Sequence, residues 1–192
     1  MKLTYLGTAA AEGWPALFCR CDNCARARKR GGRNLRSRSQ AMVNGDLLLD
    51  FPPDSFSHMQ QNGLDFSAVE HLLVTHSHLD HFQPLDLHFR SKSYYAHDLT
   101  SETLAVYGNE KVEAAYRAGV EDYEGEPKDL GISFRPVRAF EEFEAGRYTV
   151  LPLPADHAGS ENAFVYLIAE GEKTLLYLHD TGMPGAEVFE AL

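Results

Sequence analysis

Cysteine is scarce in this chain: three residues in 192, all between positions 19 and 24. An odd number crowded into one short stretch cannot build a disulfide framework. No apolar run is long enough to span a bilayer, which leaves no expectation of a membrane partner. The opening Met1-Lys2-Leu3-Thr4-Tyr5-Leu6-Gly7 lacks the longer apolar stretch of a signal peptide and reads as a first strand, so a cytoplasmic setting is the default expectation. Positive charge is in deficit, with 18 Lys and Arg against 28 Asp and Glu and a formal net charge of -10. That balance argues against a dedicated nucleic-acid binder, which normally shows a basic footprint. Internal repeats and low-complexity tracts are missing too, and 44% hydrophobic residues argue against wholesale disorder.

What remains is a soluble globular chain long enough for one domain, 1–192, with a sizeable core. Its charge is uneven. Eight of the eighteen basic residues fall between Arg20 and Arg38, where Asp22 is the only acid. A solvated face is the plainer account of that run. An anion-attracting rim beside a site is the sharper one, with Arg36 and Arg38 as the residues that would steer a phosphate.

Local patterns divide the chain into short elements. Lys2 to Leu6 reads as a strand, and Ala25 to Arg30 as a short basic helix stopped by Gly31-Gly32. Ser39 to Val43 and Asp46 to Leu49 form a hairpin turned by Asn44-Gly45 and ending at Asp50. Pro53 to Gln61 predicts a helix ended by Asn62-Gly63. His71 to Val74 is an apolar strand, Asp80 to Leu87 a helix, Thr103 to Tyr107 a strand and Glu110 to Ala118 a helix. Four strands follow, at Ile132 to Val137, Tyr148 to Leu153, Phe164 to Ala169 and Thr174 to Leu178, and a last helix opens at Gly185. Strands with interspersed helices, but without strict alternation, predict packed sheets with helices outside.

The chemistry concentrates after the apolar strand, in Thr75-His76-Ser77-His78-Leu79-Asp80-His81. Three imidazoles and a carboxylate in six residues make a nitrogen- and oxygen-rich donor set suited to zinc, manganese or iron. His76 and His78, two apart in an extended segment, can converge on one ion. Asp80 and His81 point to a neighbouring position, so the spacing predicts two adjacent metals. His157 and Asp180 each follow a later strand, and each gains weight only beside the first cluster. Cys19, Cys21 and Cys24 offer three thiolates at zinc-binding spacing, against buried, unliganded cysteines as the alternative.

These pieces together resemble the metallo-β-lactamase superfamily along nearly all of the chain. The matching features are Asp50 at a strand end, His76-x-His78-x-Asp80-His81, His157, and Asp180 in His-Asp-Thr-Gly. The resemblance implies an α/β fold, the αββα four-layer sandwich, here lacking its C-terminal part. It implies that His76, His78 and His157 hold a first metal, that Asp80 and His81 hold a second, and that Asp180 bridges both. Asp50 would order the loop without being a ligand. The presence of His81 resembles the two-metal phosphodiesterase and glyoxalase-like branches more than the true β-lactamases. The early cysteine loop followed by Arg36-Ser37-Arg38-Ser39 resembles two branches: the phosphoribosyl cyclic phosphodiesterases of phosphonate breakdown, and the B protein of pyrroloquinoline-quinone biosynthesis.

No histidine follows His179, so the pattern's final metal histidine and the fourth ligand of a structural zinc at the cysteines have no counterpart. The expectation is a C-terminally incomplete unit with a weak or absent second metal, open to forming a homodimer. The function expected is a Zn2+- or Mn2+-dependent hydrolase, a phosphodiesterase for a small, possibly cyclic, sugar or nucleotide phosphate. Two adjacent cations would acidify a shared water, and Asp80 would orient it as the catalytic residue. The rivals are a transfer-RNA 3′-processing nuclease, a thioester or lactone hydrolase, and a non-catalytic metal-binding accessory of a cofactor pathway. Tyr94 and Tyr95 read as core or surface aromatics more than as a lid.

Overall fold

The computed structural model describes residues 1–121 and 129–192. Its strands divide into two sheets. The first holds β1 (Leu3–Gly7), β2 (Gln40–Val43), β3 (Leu47–Leu49), β4 (His71–Leu73), β5 (Leu104–Gly108) and β6 (Ile132–Pro136) in that order. The hairpin of β2 and β3 turns at Asn44 and Gly45, both at positive φ (51° and 94°), as a tight primed turn requires. From β3 to β6 the pairing is parallel. Of these, β3, β4 and β5 are almost wholly buried, which explains why β4 reads as an unbroken apolar run rather than an alternating one.

The second sheet is a meander of β7 (Phe143–Ala145), β8 (Tyr148–Pro154), β9 (Phe164–Glu170) and β10 (Lys173–Tyr177), ordered β10-β9-β8-β7 and antiparallel throughout. Ala41, Val43, Leu47, Leu49, Leu73 and Tyr107 of the first sheet meet Tyr148, Val150, Phe164, Tyr166 and Ile168 of the second, and this is the main core. Outside the first sheet, Val112, Tyr116 and Leu87 cover Leu48, Leu72 and Val106. They come from α3 (Glu110–Tyr116, which continues as a π turn to Glu121), the helix after α1 (Asp22–Arg30) and α2 (Ser55–Asn62), and from a 3₁₀ segment, Pro84–Arg90. Outside the second sheet, Val188 of α4 (Ala186–Glu190) packs on Leu153 and Val165. Helix, sheet, sheet and helix are the four layers expected. No helix among the described residues is long and apolar enough to cross a membrane.

One expected element is corrected. Asp80 to Leu87 is not an α-helix. Asp80 and His81 lie in a turn, Phe82 bridges to Phe51, and the 3₁₀ segment begins only at Pro84. The backbone is committed elsewhere. Phe51 N–H donates to the His81 carbonyl at 2.7 Å, and Gln83 N–H donates to the Phe51 carbonyl at 2.7 Å. Pro84 also disfavours the α conformation for Gln83, which sits at φ -109° and ψ 83°.

Strand direction decides where chemistry can gather. β3 and β4 run parallel, so Asp50 and Thr75 leave the first sheet at the same end. β8 and β10 both lie antiparallel to β9, so they run alike, and His157 and Asp180 leave the second sheet together. Phe164 N–H donates to the Thr75 carbonyl at 2.8 Å, and Tyr166 O–H donates to the Val74 carbonyl at 2.7 Å. Those two bonds fasten the start of β9 to the end of β4 and bring the two sets of strand ends to one edge.

Candidate metal centre

At that edge the structure assembles every histidine and aspartate of the predicted set. Ligand atoms of His76, His78 and His157 lie within 4.8 Å of one another, and so do those of His76, His81 and Asp180. His76 Nε2 faces His78 Nδ1 at 3.0 Å. A tetrahedral cation with nitrogens at ~2.0–2.1 Å holds them roughly 3.3 Å apart, so the two rings are already close to chelating geometry. The Asp180 Oδ2 atom lies 2.9 Å from His81 Nε2, 3.4 Å from His157 Nε2 and 3.9 Å from His76 Nε2. Asp80 Oδ2 reaches the same His81 Nε2 at 3.4 Å. One carboxylate oxygen of Asp180 therefore stands between the His76, His78 and His157 group and the Asp80 and His81 group. That is the position of a bridging ligand.

The donor set fits cations on its own chemistry. His157 Nε2 is buried without a hydrogen-bond partner, a costly state for a nitrogen that nothing is to coordinate. Burial pushes the His76 pKa down to about 4, and the His81, His78 and His157 rings nearby add to the fall against the pull of Asp50. His76 is thus neutral at pH 7, with a lone pair to give. At His81 burial also acts downward. There the charge and hydrogen bond of Asp50, with Asp80 and Asp180 beside them, outweigh it and raise the pKa to about 9. The three carboxylates make this end of the site favour positive charge.

Behind the donors is a brace. Asp50 is fully buried and accepts from Thr75 N–H at 2.8 Å, Thr75 O–H at 2.9 Å and His81 Nδ1–H at 2.8 Å. With its Nδ1 proton spent on Asp50, His81 presents Nε2 to the site, the arrangement by which outer carboxylates orient ligating histidines. Asp50 and Asp180 both hold positive φ, 63° and 56°, a conformation that suits aspartate better than most side chains.

Three participants were not visible as such in the sequence. Thr75 links Asp50 to the loop. Glu161 accepts from Ser77 N–H (3.0 Å) and Ser77 O–H (2.8 Å), which clamps the turn between His76 and His78, and it also accepts from Asn109 (2.9 Å). Thr181 accepts from Asp156 N–H at 2.9 Å, while Gly182 N–H donates to the Asp156 carbonyl at 2.9 Å, and this ties the His157 loop to the Asp180 loop. A Cβ on Gly182 would come within 2.3 Å of Asp156 Oδ2, so a larger residue there would have to push that side chain aside. None of these residues carries a spacing signal.

Cys19, Cys21 and Cys24 also converge, their sulfurs within 4.8 Å of one another. The Cys24 backbone N–H and the neighbouring thiols pull the Cys21 pKa down to about 7, while burial pushes Cys24 up. Three donors gather there among the described residues. Of the arginines read as phosphate-steering, Arg38 is otherwise engaged: it pairs with Asp54 at 3.2 Å and donates to the Ala11 carbonyl at 2.9 Å. Arg36 is exposed and lines a small polar hollow beside Trp14. Tyr94 and Tyr95 are exposed, as surface aromatics should be.

Two packed sheets with a shared histidine and aspartate centre at one edge define a metal-binding αββα sandwich. The sequence pattern of the beta-lactamase superfamily domain matches residues 47–192, and the chain belongs to that family. Among solved structures it resembles a diphosphatase of the PhnP family (22% identity, 87% of this chain, 62% of that one, TM-score 0.67). It also resembles zinc-bound PqqB from Methylobacterium extorquens (20% identity, 98% of this chain, 68% of that one, TM-score 0.74). The short form of human tRNase Z is a third similar structure (17% identity, 97% of this chain, 72% of that one, TM-score 0.68). At these identities the likeness is one of fold, and the chain spans 62% of the length of the PhnP-family structure. No curated protein matches its sequence.

Proposed function

We propose that the chain carries the metal centre of a two-cation hydrolase whose substrate is a small phosphodiester. The observation that carries this reading is the placement of Asp180 Oδ2 within 3.4 Å of both His81 Nε2 and His157 Nε2, which couples two donor groups into one site. His76, His78, His157 and Asp180 would hold one cation, and Asp80, His81 and Asp180 the other. When bound, such a pair acidifies water towards neutral pH and neutralises charge on a phosphoryl oxygen.

The chain's own residues do the rest. Asp50 fixes the His81 tautomer, and Glu161 fixes the spacing of His76 and His78. Asp80 is partly open to solvent, its side chain 12% exposed, and among the described residues that side chain pairs only with His81, so its second oxygen can accept a proton from attacking water. His78 is exposed, leaving the centre open to substrate from that side. The nitrogen and oxygen donors suit zinc or manganese, and accept iron as well.

The fold likeness to a PhnP-family diphosphatase supports a phosphate ester or anhydride substrate. The likeness to tRNase Z would support a nucleic acid, but a net charge of -10 opposes a polyanion. The test is a panel on metal-loaded protein: bis(p-nitrophenyl) phosphate, a cyclic ribose phosphate, a precursor transfer RNA and a glutathione thioester. Turnover of the first two, abolished by chelator, is the expected outcome. Turnover confined to the thioester or the RNA overturns the substrate class, and failure to retain any transition metal overturns the whole reading.

A further inference from the structure

A second site, unrelated to the metal centre, lies on the outer face of the six-stranded sheet. A cavity of about 750 Å³ opens there between α2 (Ser55–Asn62), the 3₁₀ turns Phe66–Ala68 and Pro84–Arg90, and residues 95–104. Small-molecule sites typically measure ~300–1,000 Å³, so this is a ligand-sized space and not a packing defect. Its walls are mostly apolar, with Phe66, Leu72, Leu87 and Leu99 among them. Phe56, Phe89 and Tyr95 line it while remaining 63%, 62% and 59% exposed, so they form an aromatic mouth. Phe89 and Tyr95 pack edge to face there, ring centroids 5.4 Å apart.

One residue in this wall does not belong in an apolar pocket. Arg90 is only 9% exposed. Its Nη2 donates to the Ser101 carbonyl at 2.6 Å, but its Nε is buried with no hydrogen-bond partner. Among the described residues no carboxylate lies within ion-pair distance of it, and the nearby Glu102 is already paired with Lys92. A guanidinium remains charged in a protein, and a buried cation without a counter-ion is costly. Asp86, the other charged group of the lining, has no ion pair among the described residues, so it does not stand within pairing distance of Arg90. A carboxylate on an apolar ligand would bring a counter-charge to the Arg90 guanidinium while the ligand's body covered the walls.

We infer that this cavity binds an apolar small molecule ending in one carboxylate, of the medium-chain fatty-acid class. The inference is independent of the proposed hydrolase activity. Calorimetric titration of the metal-loaded chain with decanoate and with decanol tests it. Decanoate should bind saturably at one site, at least tenfold more tightly than decanol. Arg90→Met should abolish that preference. Ala96→Trp, which places bulk in the lining from a partly exposed loop position, should remove binding of both ligands without moving the melting temperature by more than a few degrees. Binding of decanoate should be unchanged in His78→Ala, which damages the metal centre. Absence of saturable binding, equal binding of acid and alcohol, retention in Ala96→Trp, or loss in His78→Ala would each overturn the inference, the last by locating the carboxylate at the metals.

Discussion

Replacing Asp50 by asparagine isolates the brace behind the metal centre. Asparagine matches aspartate in size and tolerates the positive φ of 63° at this position, so the backbone has no reason to move. Its carbonyl can still accept from Thr75 N–H and O–H, now 2.8 and 2.9 Å from Asp50 Oδ1. Its amide, however, meets His81 Nδ1 with a donor where a carboxylate accepted at 2.8 Å. His81 relieves that clash by taking its proton on Nε2, the nitrogen it must offer to a cation. The buried charge that helps lift the His81 pKa to about 9 is lost as well. One buried mismatch costs about 1–3 kcal/mol of stability. Loss of an outer carboxylate of this kind weakens metal binding about 10- to 100-fold, or roughly 1.4–2.7 kcal/mol. Zinc titration against a chromophoric chelator, alongside urea denaturation of the metal-free protein, reads both quantities. An Asp50→Asn protein that binds two cations as tightly as the parent would refute the reasoning, because the tautomer of His81 would then be set by something else.

Asp80→Ala should cut phosphodiester turnover by orders of magnitude and leave the melting temperature within a few degrees, since Asp80 contacts only the reacting side of the site; near-full activity would remove Asp80 from the mechanism. Cys21→Ser should lower the zinc content of the purified protein by one equivalent, measured by elemental analysis, together with its stability; unchanged zinc and stability would mean that the three sulfurs hold nothing. Tyr166→Phe removes the fully buried O–H that bonds the Val74 carbonyl, so it should cost about 1–2 kcal/mol in urea unfolding and loosen the metal loop; a neutral result would show that β9 does not anchor β4 through this bond.

The candidate donors of the first cluster were legible in the sequence because they are local. His76, His78, Asp80 and His81 fall within six residues after an apolar strand, and imidazole clusters of that density have few other uses. The Asn44-Gly45 turn, the Gly31 and Gly63 helix stops and most strands were equally legible, since each rests on short-range backbone chemistry. The helix expected over Asp80 to Leu87 failed for the opposite reason. Its backbone groups bond to Phe51, thirty residues earlier, and no local pattern records that demand. The short β7 was missed because Phe143–Ala145 becomes a strand only through pairing with β8.

What only the tertiary structure decided is which distant groups complete the centre and what holds them. A histidine after one strand and an aspartate after another carry little meaning alone. The parallel course of β8 and β10, and the bonds from β9 to Val74 and Thr75, put His157 and Asp180 beside the first cluster. Glu161 and Thr181 hold their partners through contacts between segments far apart in the chain. The guanidinium of Arg90, buried and without an ion pair among the described residues, is likewise a fact of packing, invisible in a sequence where an arginine is by default a solvated charge. Chemistry that depends on residue type and short spacing is written in the sequence. Orientation, protonation and desolvation depend on long-range packing, and they exist only once the two sheets meet.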